Sequence, residues 1–399
     1  MNTSEKDAAL ERAAEHIFSM GLGDVAAQMS LHNMRYGLAK FHHVLKELGY
    51  DPDATFIGTP DLTVTRNKPR WNAGIGYGGK ITWGPGDREV VFLDVKPNCC
   101  GMLVGGLEQR PDLHTITRRL DGMLDDDAVL DGVPIQWDIG TGNHFVDLMA
   151  VEPVDPEVDL PPWCFVLHFA GGELRGDNPL GMGLYWHASS ELATRMEVFE
   201  TPWGPCRTLL GGDAGEYYEF FQLADDFIRR RRLMAAERLF DDFDVIANLH
   251  HQGLVGPNEV VLGCQDSSRG EIVPVMLRES TPGYLFHARP NLSDGIINVL
   301  GWRERAERHG VMEHLRNANV IPHGAGYMLP DVSHLVQVHE HNGRRYYELE
   351  AMEGGVRIVL GTPTDLTYAY RGRRIILSSV EHGLGEIAAR LQPVEVLKA

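Results

Sequence analysis

Residues 137–147 read Trp-Asp-Ile-Gly-Thr-Gly-Asn-His-Phe-Val-Asp. Gly140 and Gly142 allow the backbone to turn sharply and to approach a ligand closely. The asparagine and histidine that follow place an amide and an imidazole at the mouth of this turn. From Phe145 onward, apolar side chains and alternation of the two faces predict a strand. This stretch is therefore a candidate metal or nucleotide site, and the alternative is a tight turn with one structural histidine.

The composition is that of a globular chain. With 399 residues, 43% of them hydrophobic, the protein can bury a large core. The net charge of −19 argues against a protein that coats long nucleic acid through its phosphates. Four consecutive arginines at 229–232 either line a local basic groove or form the polar face of a helix.

We expect neither a membrane span nor a secretion signal in the chain. No apolar run approaches the length of a membrane span, and the charged N-terminus lacks an apolar signal-peptide core. We therefore expect a cytoplasmic protein with no membrane partner. The five cysteines are odd in number in a large chain, which argues against a disulfide framework and leaves thiols as metal ligands or small buried residues.

Periodicity predicts a mixture of helices and strands, of class α/β (α+β). Residues 1–50 are expected to form an N-terminal helical segment, with helices at 4–20 and 26–48. Residues 51–399 are expected to form one domain, compact with that segment. The further predicted helices cover 216–240, 302–317 and 380–391, and predicted strands include 89–93 and 163–169.

Several of these segments deliver metal-ligating side chains. They supply Cys99 or Cys100, His144, His168, His250 or His251, and His323. A thiolate with several imidazoles is a borderline-soft donor set that suits Mn, Zn, Fe or Co. The wide spacing excludes a zinc finger and a His-Glu-x-x-His helix. Two adjacent cysteines cannot easily face one metal, so one of them is expected to be structural. With 18 histidines in the chain, the alternative for any single one is a core histidine.

Taken in order, these segments resemble the RtcB-type RNA ligases. The family motifs Gly-x-Gly-Asn-His-Phe and His-Gly-Ala-Gly are matched at 140–145 and 323–326. The chain also ends, as family members do, in a short apolar segment with a lysine close to the terminus. The matches run in the family order from about residue 74 to residue 398.

The resemblance implies a fold and an activity. The fold is a single large RtcB-like domain with mixed sheets around a central metal-binding cleft. The cofactors are two Mn²⁺ ions and GTP, and the partners are RNA ends. In the family, a histidine takes GMP from GTP, GMP passes to an RNA 3′-phosphate (or 2′,3′-cyclic phosphate) end, and a 5′-hydroxyl then seals the strand, as in tRNA splicing and RNA repair.

The resemblance also assigns roles to residues. The nucleophile is His323, and Cys100, His144, His168 and His251 are metal ligands. The family's ligating aspartate falls at Pro97, so either Asp94 replaces it through a shifted loop or that ligand is missing. The residues assigned to GTP are Asn143, Phe145, Asp147, Gln252, Gly324, Gly326, Tyr370 and Lys398.

Other departures from the family keep two alternatives open. Asp147 stands where the family has glutamate, Gln252 follows His251 in place of asparagine, and Tyr327 replaces an arginine. The first alternative is a metal-dependent phosphatase or nucleotidyl hydrolase on the same scaffold. The second is a non-catalytic paralogue.

Overall fold

The structure is a computed structural model that describes residues 3–341 and 343–398. The α-helices are α1 (Thr3–Glu15), α2 (Val25–Glu47), α3 (Lys68–Ala73), α4 (Leu113–Leu124), α5 (Ser190–Arg195), α6 (Gly212–Leu239), α7 (Asp294–Val299), α8 (Arg303–His309), α9 (Met312–Arg316) and α10 (Arg374–Glu381). Short 3₁₀ turns cover Leu93–Val95, Gly172–Leu174 and Pro363–Asp365. None of the helices in these two ranges combines the length and the apolar character needed to cross a bilayer.

Strands contribute the framework of the fold. They are β1 (Ile17–Ser19), β2 (Thr55–Thr63), β3 (Tyr77–Thr82), β4 (Val90–Phe92), β5 (Cys100–Leu107), β6 (Val129–Leu130), β7 (Val133–Pro134), β8 (Phe145–Pro153), β9 (Trp163–Phe169), β10 (Glu197–Thr201), β11 (Gly204–Leu210), β12 (Asp244–Gly256), β13 (Glu259–Leu262), β14 (Cys264–Asp266), β15 (Ile272–Val275), β16 (Gly283–Ala288), β17 (Val320–Pro322), β18 (Tyr327–Met328), β19 (Val332–His341), β20 (Arg344–Ala351), β21 (Arg357–Leu360), β22 (Ala369–Tyr370) and β23 (Gly385–Leu397).

An eleven-stranded sheet runs through the molecule in the order β1-β2-β3-β13-β12-β5-β9-β8-β23-β16-β15. Its pairings are antiparallel except for β1 with β2, which is parallel. The smaller sheets are β10-β11-β4, β19-β20-β21, β14-β17, β18-β22 and β6-β7. Helices and one dominant, mostly antiparallel sheet make this a mixed α+β fold, which confirms the predicted class at that level.

The centre of the sheet is buried on both faces. All residues of β5 are buried, and all of β9 except its first residue. Helix α6 packs against this region, where the rings of Phe165 and Phe240 stack with centroids 4.0 Å apart. Burial on both sides explains why these strands read as near-continuous apolar runs rather than as alternating ones.

Two local predictions are wrong at one end. The helix predicted at 4–20 stops at Glu15, because Ile17 and Phe18 are buried in strand β1, which pairs with β2. The expected N-terminal helical segment therefore contains a strand of the large sheet. The helix predicted at 380–391 is wrong from Gly385 onward, where β23 pairs with both β8 and β16. In both places long-range strand pairing outweighs local helical spacing.

Other local predictions are confirmed. Helix α2 begins where Asp24 accepts a hydrogen bond from the backbone N–H of Ala27, a side-chain cap that fixes the first turn. Helix α6 covers the long segment predicted at 216–240, and β9 coincides with the predicted strand at 163–169. The predicted helical segment 302–317 is divided into α8 and α9 by the left-handed Gly310.

Candidate metal centre

A thiol and two imidazoles meet on three neighbouring strands. Cys100 begins β5, His168 lies near the end of β9, and His251 lies in β12, and these strands are adjacent in the order β12-β5-β9. Cys100 Sγ lies 3.3 Å from His168 Nε2, and the Nε2 atoms of His168 and His251 are 3.3 Å apart. Their ligand atoms all fall within 4.8 Å of one another, so this buried group can hold a metal ion.

The backbone decides which of two adjacent residues faces the site. Cys99 has a positive φ of 55° and packs into the hydrophobic core, whereas the next residue turns toward the histidines. On β12 a register irregularity lies between His250 and Gln252. His250 points away, with its Nδ1 2.8 Å from Asp225 Oδ1, so His251 is the histidine that reaches the group. The two ambiguities of the sequence are thus resolved in favour of Cys100 and His251.

A fourth predicted ligand, His144, lies at the edge of this group. Its Nε2 is 4.0 Å from Cys100 Sγ, and its Nδ1 is 2.8 Å from Asp138 Oδ2. The other Asp138 oxygen lies 2.9 Å from the guanidinium of Arg231, which is fully buried and also contacts Glu173. A chain of charges therefore orients the imidazole from behind, as outer partners commonly do for metal-binding histidines.

The arginine run 229–232 lies on α6 and is divided between structural partners. Arg229 and Arg230 pair with Asp225 and Asp226 one turn earlier, and Arg232 donates to Asn248 and to the carbonyl of Cys99. The run therefore lies on an ion-paired helix and does not form a basic groove. Its buried members, Arg231 and Arg232, contact residues that support the site.

Electrostatics favour the metal-binding protonation states of two ligands, the thiolate of Cys100 and the neutral imidazole of His251. Burial raises the pKa of the Cys100 thiol, but the neighbouring His168 and the hydrogen bonds from His144 and His168 outweigh burial and hold that pKa well below its usual value. Burial lowers the pKa of His251 to about 3, so its imidazole is neutral at pH 7. For His144, burial lowers the pKa, but Asp138 and the Cys100 sulfur outweigh it and raise the pKa to about 10. A bound cation would therefore compete with the proton of His144.

His323 faces the same place from another direction. Strand β17 ends at Pro322 and delivers this histidine into a turn, where its ring centroid is 4.9 Å from that of His251. Its Nδ1 lies 2.7 Å from Asp61 Oδ2, which also accepts the backbone N–H of Gly324 at 2.9 Å. Gly324 has φ +109°, and a Cβ there would lie 2.5 Å from the carbonyl oxygen of Met276. The turn thus requires glycine, and Nε2 is the ring nitrogen of His323 left available.

Asp61 is the functional residue that the sequence analysis missed. It lies in β2, where the pairing with β3 is irregular between Gly58 and Thr63, and bulges of this kind re-aim side chains. Burial raises the pKa of Asp61, but hydrogen bonds from His323, Thr59 and Gly324 outweigh burial and lower it. The signal in the sequence was a single carboxylate within a strand that is otherwise uncharged.

A cavity opens beside these side chains. A small cavity of ≈ 30 Å³, lined in part by His168, His251 and His323, has room for about two waters. It shares Asn143, Arg278, Glu279 and Tyr370 with a larger cavity of ≈ 830 Å³. The larger cavity is also lined by Arg66, Tyr327, Tyr368 and Lys398. A cavity large enough for a nucleotide-sized ligand therefore adjoins the candidate metal centre.

Most of the remaining predicted residues fall into two groups. Asn143, Phe145, Tyr370 and Lys398 line one or both cavities, and the Asn143 carbonyl accepts a hydrogen bond from His168 Nδ1 at 2.7 Å. Gly324 and Gly326 shape the turn after His323, where a Cβ on Gly326 would lie 2.6 Å from Arg371 Nη1. Three residues are placed elsewhere, as follows.

Asp94 does not join the metal-binding group. Its carboxylate accepts the side chain of Arg207 at 3.0 Å and the backbone N–H of the same residue at 3.2 Å, which corrects the interpretation of Asp94 as a ligand through a shifted loop. Gln252 is buried, and its backbone carbonyl oxygen accepts hydrogen bonds from the backbone N–H groups of Asn98 and Cys99. Asp147 is fully buried and lines neither cavity, and neither carboxylate oxygen has a hydrogen-bond partner among the described residues.

Comparisons of the sequence with protein-family models and with curated proteins find no match. The site itself offers a thiolate and imidazoles that can bind a divalent cation. Beside them lies an imidazole oriented by a carboxylate, in the small cavity that Arg278 also lines, and Arg66 lines the adjoining larger cavity. These are components for chemistry at phosphorus.

Proposed function

We propose that the protein is a metal- and GTP-dependent RNA ligase that joins 3′-phosphate (or 2′,3′-cyclic phosphate) and 5′-hydroxyl ends through a covalent GMP–His323 intermediate. One observation carries the proposal. His323, held through Nδ1 by a buried carboxylate, presents its other ring nitrogen to a cavity that also exposes two imidazoles of the metal-binding group. The order of the motifs along the chain supports the choice of ligase over other nucleotidyl transfer.

In the first step, Nε2 of His323 attacks the α-phosphorus of GTP. A phosphorus–nitrogen bond forms, and the bond from that phosphorus to the bridging oxygen of pyrophosphate breaks. Asp61 holds the Nδ1 proton and stabilises the positive charge that develops on the ring, as an orienting carboxylate does for other catalytic histidines. The donor set fits divalent cations, and when bound by Cys100, His144, His168 and His251 they would neutralise charge on the phosphate oxygens.

Two arginines support a polyphosphate ligand in the larger cavity. Arg66 and Arg278 line it and form no ion pair with a carboxylate within the described ranges 3–341 and 343–398. Arg66 lies 4.4 Å above the ring of Tyr368, within an aromatic group completed by Tyr327 and Tyr370. This group suits a stacked base, with Tyr370 as the proposed partner of guanine and Lys398 at the edge of the base.

The later steps transfer and then release GMP. A 2′,3′-cyclic end is first opened by water, which breaks the bond from phosphorus to the 2′-oxygen and leaves a 3′-phosphate and a 2′-hydroxyl. A 3′-phosphate oxygen of one RNA end attacks the phosphorus held by His323, which breaks the phosphorus–nitrogen bond and returns the imidazole. The 5′-hydroxyl of the second end then attacks the RNA phosphate, which forms the phosphodiester and releases GMP. The departing proton of the hydroxyl passes to solvent or to a basic group in the cavity.

Labelling with α-³²P GTP and Mn²⁺ tests the proposal. Metal-replete protein should become labelled, and the label should be lost in acid but retained in base, as expected of a phosphoramidate. His323→Ala should abolish labelling, and Asp61→Asn should reduce its rate about 10²-fold or more, because the ring loses its orienting carboxylate. The control His334→Ala changes an exposed histidine of β19 and should label normally.

The outcomes separate the alternatives. Absence of label with every nucleoside triphosphate in metal-replete wild type would refute the ligase. Metal-dependent release of phosphate without labelling would instead select the phosphatase or nucleotidyl hydrolase.

A further inference from the structure

A second cavity, which we call the tryptophan pocket, lies between α2, α3, β11 and β20. It encloses ≈ 640 Å³ and its walls include Lys40, Trp71, Trp186, Trp203 and Arg345. Three of the seven tryptophans of the chain thus line one pocket. Within the described part of the chain, its lining contains five lysines and arginines and no aspartate or glutamate, which is unusual for a protein of net charge −19.

A buried ammonium group lies in the wall of the tryptophan pocket. Lys40 is 2% exposed, and its Nζ donates to the carbonyl oxygen of Pro205 at 3.2 Å. No carboxylate lies within ion-pair distance of it in residues 3–341 and 343–398. Burial is the larger cause and the nearby positive charge of Arg345 the smaller one, and together they lower the pKa of Lys40 to about 8. A buried cation without a counterion is costly, and a bound anion would remove that cost.

Further donors around the pocket are unused. Arg345 is 7% exposed and donates through Nε to Asn33 and through Nη2 to the carbonyls of Trp71 and Asn72, but its buried Nη1 has no partner among the described residues. The buried indole N–H groups of Trp186 and Trp203 likewise lack partners in that part of the chain. The three nitrogen atoms have almost no accessible surface, so they lie within the wall of the pocket and make that wall rich in donors without contacting a ligand directly.

The rim adds charge and aromatic surface. Lys68 and Arg344 are exposed and form no ion pair within the described residues. Arg207 pairs with Asp94 and lies 4.1 Å over the ring of Trp186. The exposed ring of Tyr346 completes the opening. Cations interleaved with aromatic rings are typical of sites that hold the phosphates and bases of single nucleotides or single strands.

We propose that the tryptophan pocket binds a nucleotide, with its phosphate on Lys40 and Arg345 and its base against the aromatic rim. The pocket shares no lining residue with the two cavities beside His323, so this site is separate from the proposed catalytic one. The same chemistry is offered by a free mononucleotide and by one nucleotide of an unpaired RNA strand, and the test distinguishes these sources.

Calorimetric titration of the full chain in metal-free buffer tests the pocket. The probes are inorganic phosphate, GMP, AMP and a single-stranded RNA pentamer. Omitting divalent cations keeps the result independent of the proposed ligase reaction. Wild type should bind nucleotide at least 10-fold more tightly than inorganic phosphate, because the base of the nucleotide stacks against the aromatic rim.

Lys40→Met should weaken nucleotide binding at least 10-fold, since it removes the buried charge while filling its space. The rim variant Lys68→Gln/Arg344→Gln changes exposed side chains only and should weaken binding by about 3- to 10-fold and flatten its salt dependence. The control Lys46→Gln/Arg118→Gln removes the same charge from exposed positions on α2 and α4 and should bind as wild type does.

The possible results divide clearly. Pentamer and mononucleotide of equal affinity support a free-nucleotide site, and a pentamer bound at least 10-fold more tightly supports an RNA strand. Equal affinity for phosphate and nucleotide would overturn the role of the aromatic rim. Absence of binding, or wild-type affinity in both the Lys40 and the rim variants, would overturn the proposal whatever the outcome of the labelling experiment.

Discussion

Asp147 is a buried carboxylate whose protonation should govern stability between pH 4 and pH 8. Burial raises its pKa from 3.8 to about 8, Glu279 adds to the rise, and Lys398 opposes it. The folded chain therefore holds this proton more tightly than the unfolded chain. The stability that comes from the neutral acid is fully present below pH 3.8 and is lost as the pH rises toward 8.

The magnitude follows from the difference of about four pKa units. One proton taken up on folding gives a slope of about 1.4 kcal/mol per pH unit, and an upper limit of about 6 kcal/mol above pH 8. Asp147→Asn keeps the shape of the neutral acid and removes the titration. The variant should therefore gain stability over wild type by about 3 kcal/mol at pH 6 and by about 4 kcal/mol at pH 7.

Urea unfolding of the two proteins between pH 5 and pH 8, followed by circular dichroism, measures this difference directly, because other titrating groups cancel. Asp159→Asn serves as the matched control, since Asp159 is exposed and forms no ion pair within the described residues. A difference between Asp147→Asn and wild type that stays constant across this pH range would refute the reasoning.

Three further predictions concern the metal centre and the core. Asp138→Asn should lower the affinity for a divalent cation about 10- to 100-fold, because His144 loses the carboxylate that orients it. Metal titration measures this affinity, and an unchanged value would contradict the prediction. Cys100→Ser should abolish the thiolate-to-metal absorption of the Co²⁺-loaded protein, whereas Cys99→Ser should retain it. Phe165→Ala should destabilise the fold by about 3–5 kcal/mol in urea unfolding, against about 0.5 kcal/mol or less for the exposed control Val299→Ala.

Local sequence identified most of the regular elements near the site. The long helix α6 and the strand β9 were predictable because their patterns are set by residues close together in the chain. The sequence also indicated the donor side chains, because each lies within or directly beside an apolar segment. What the sequence could not supply was the end of each element, as the strand at Ile17–Ser19 shows.

The pairing of distant strands decided the rest of the fold. Residues 385–391 have helical spacing, but they lie in β23 because β8 and β16 offer hydrogen-bond partners on both sides. Such pairing depends on residues more than 90 positions away, and no local pattern encodes it.

The sequence by itself determined which chemical groups are available: a cysteine pair, histidines at strand ends and a glycine turn after His323. Only the tertiary structure decided which of them meet. Positive φ at Cys99 and a register irregularity in β12 turn Cys100 and His251 inward, and an irregular stretch of β2 brings Asp61 to His323. The physical reason is that a strand alternates its side chains strictly, so a single irregularity reverses which residue faces the site.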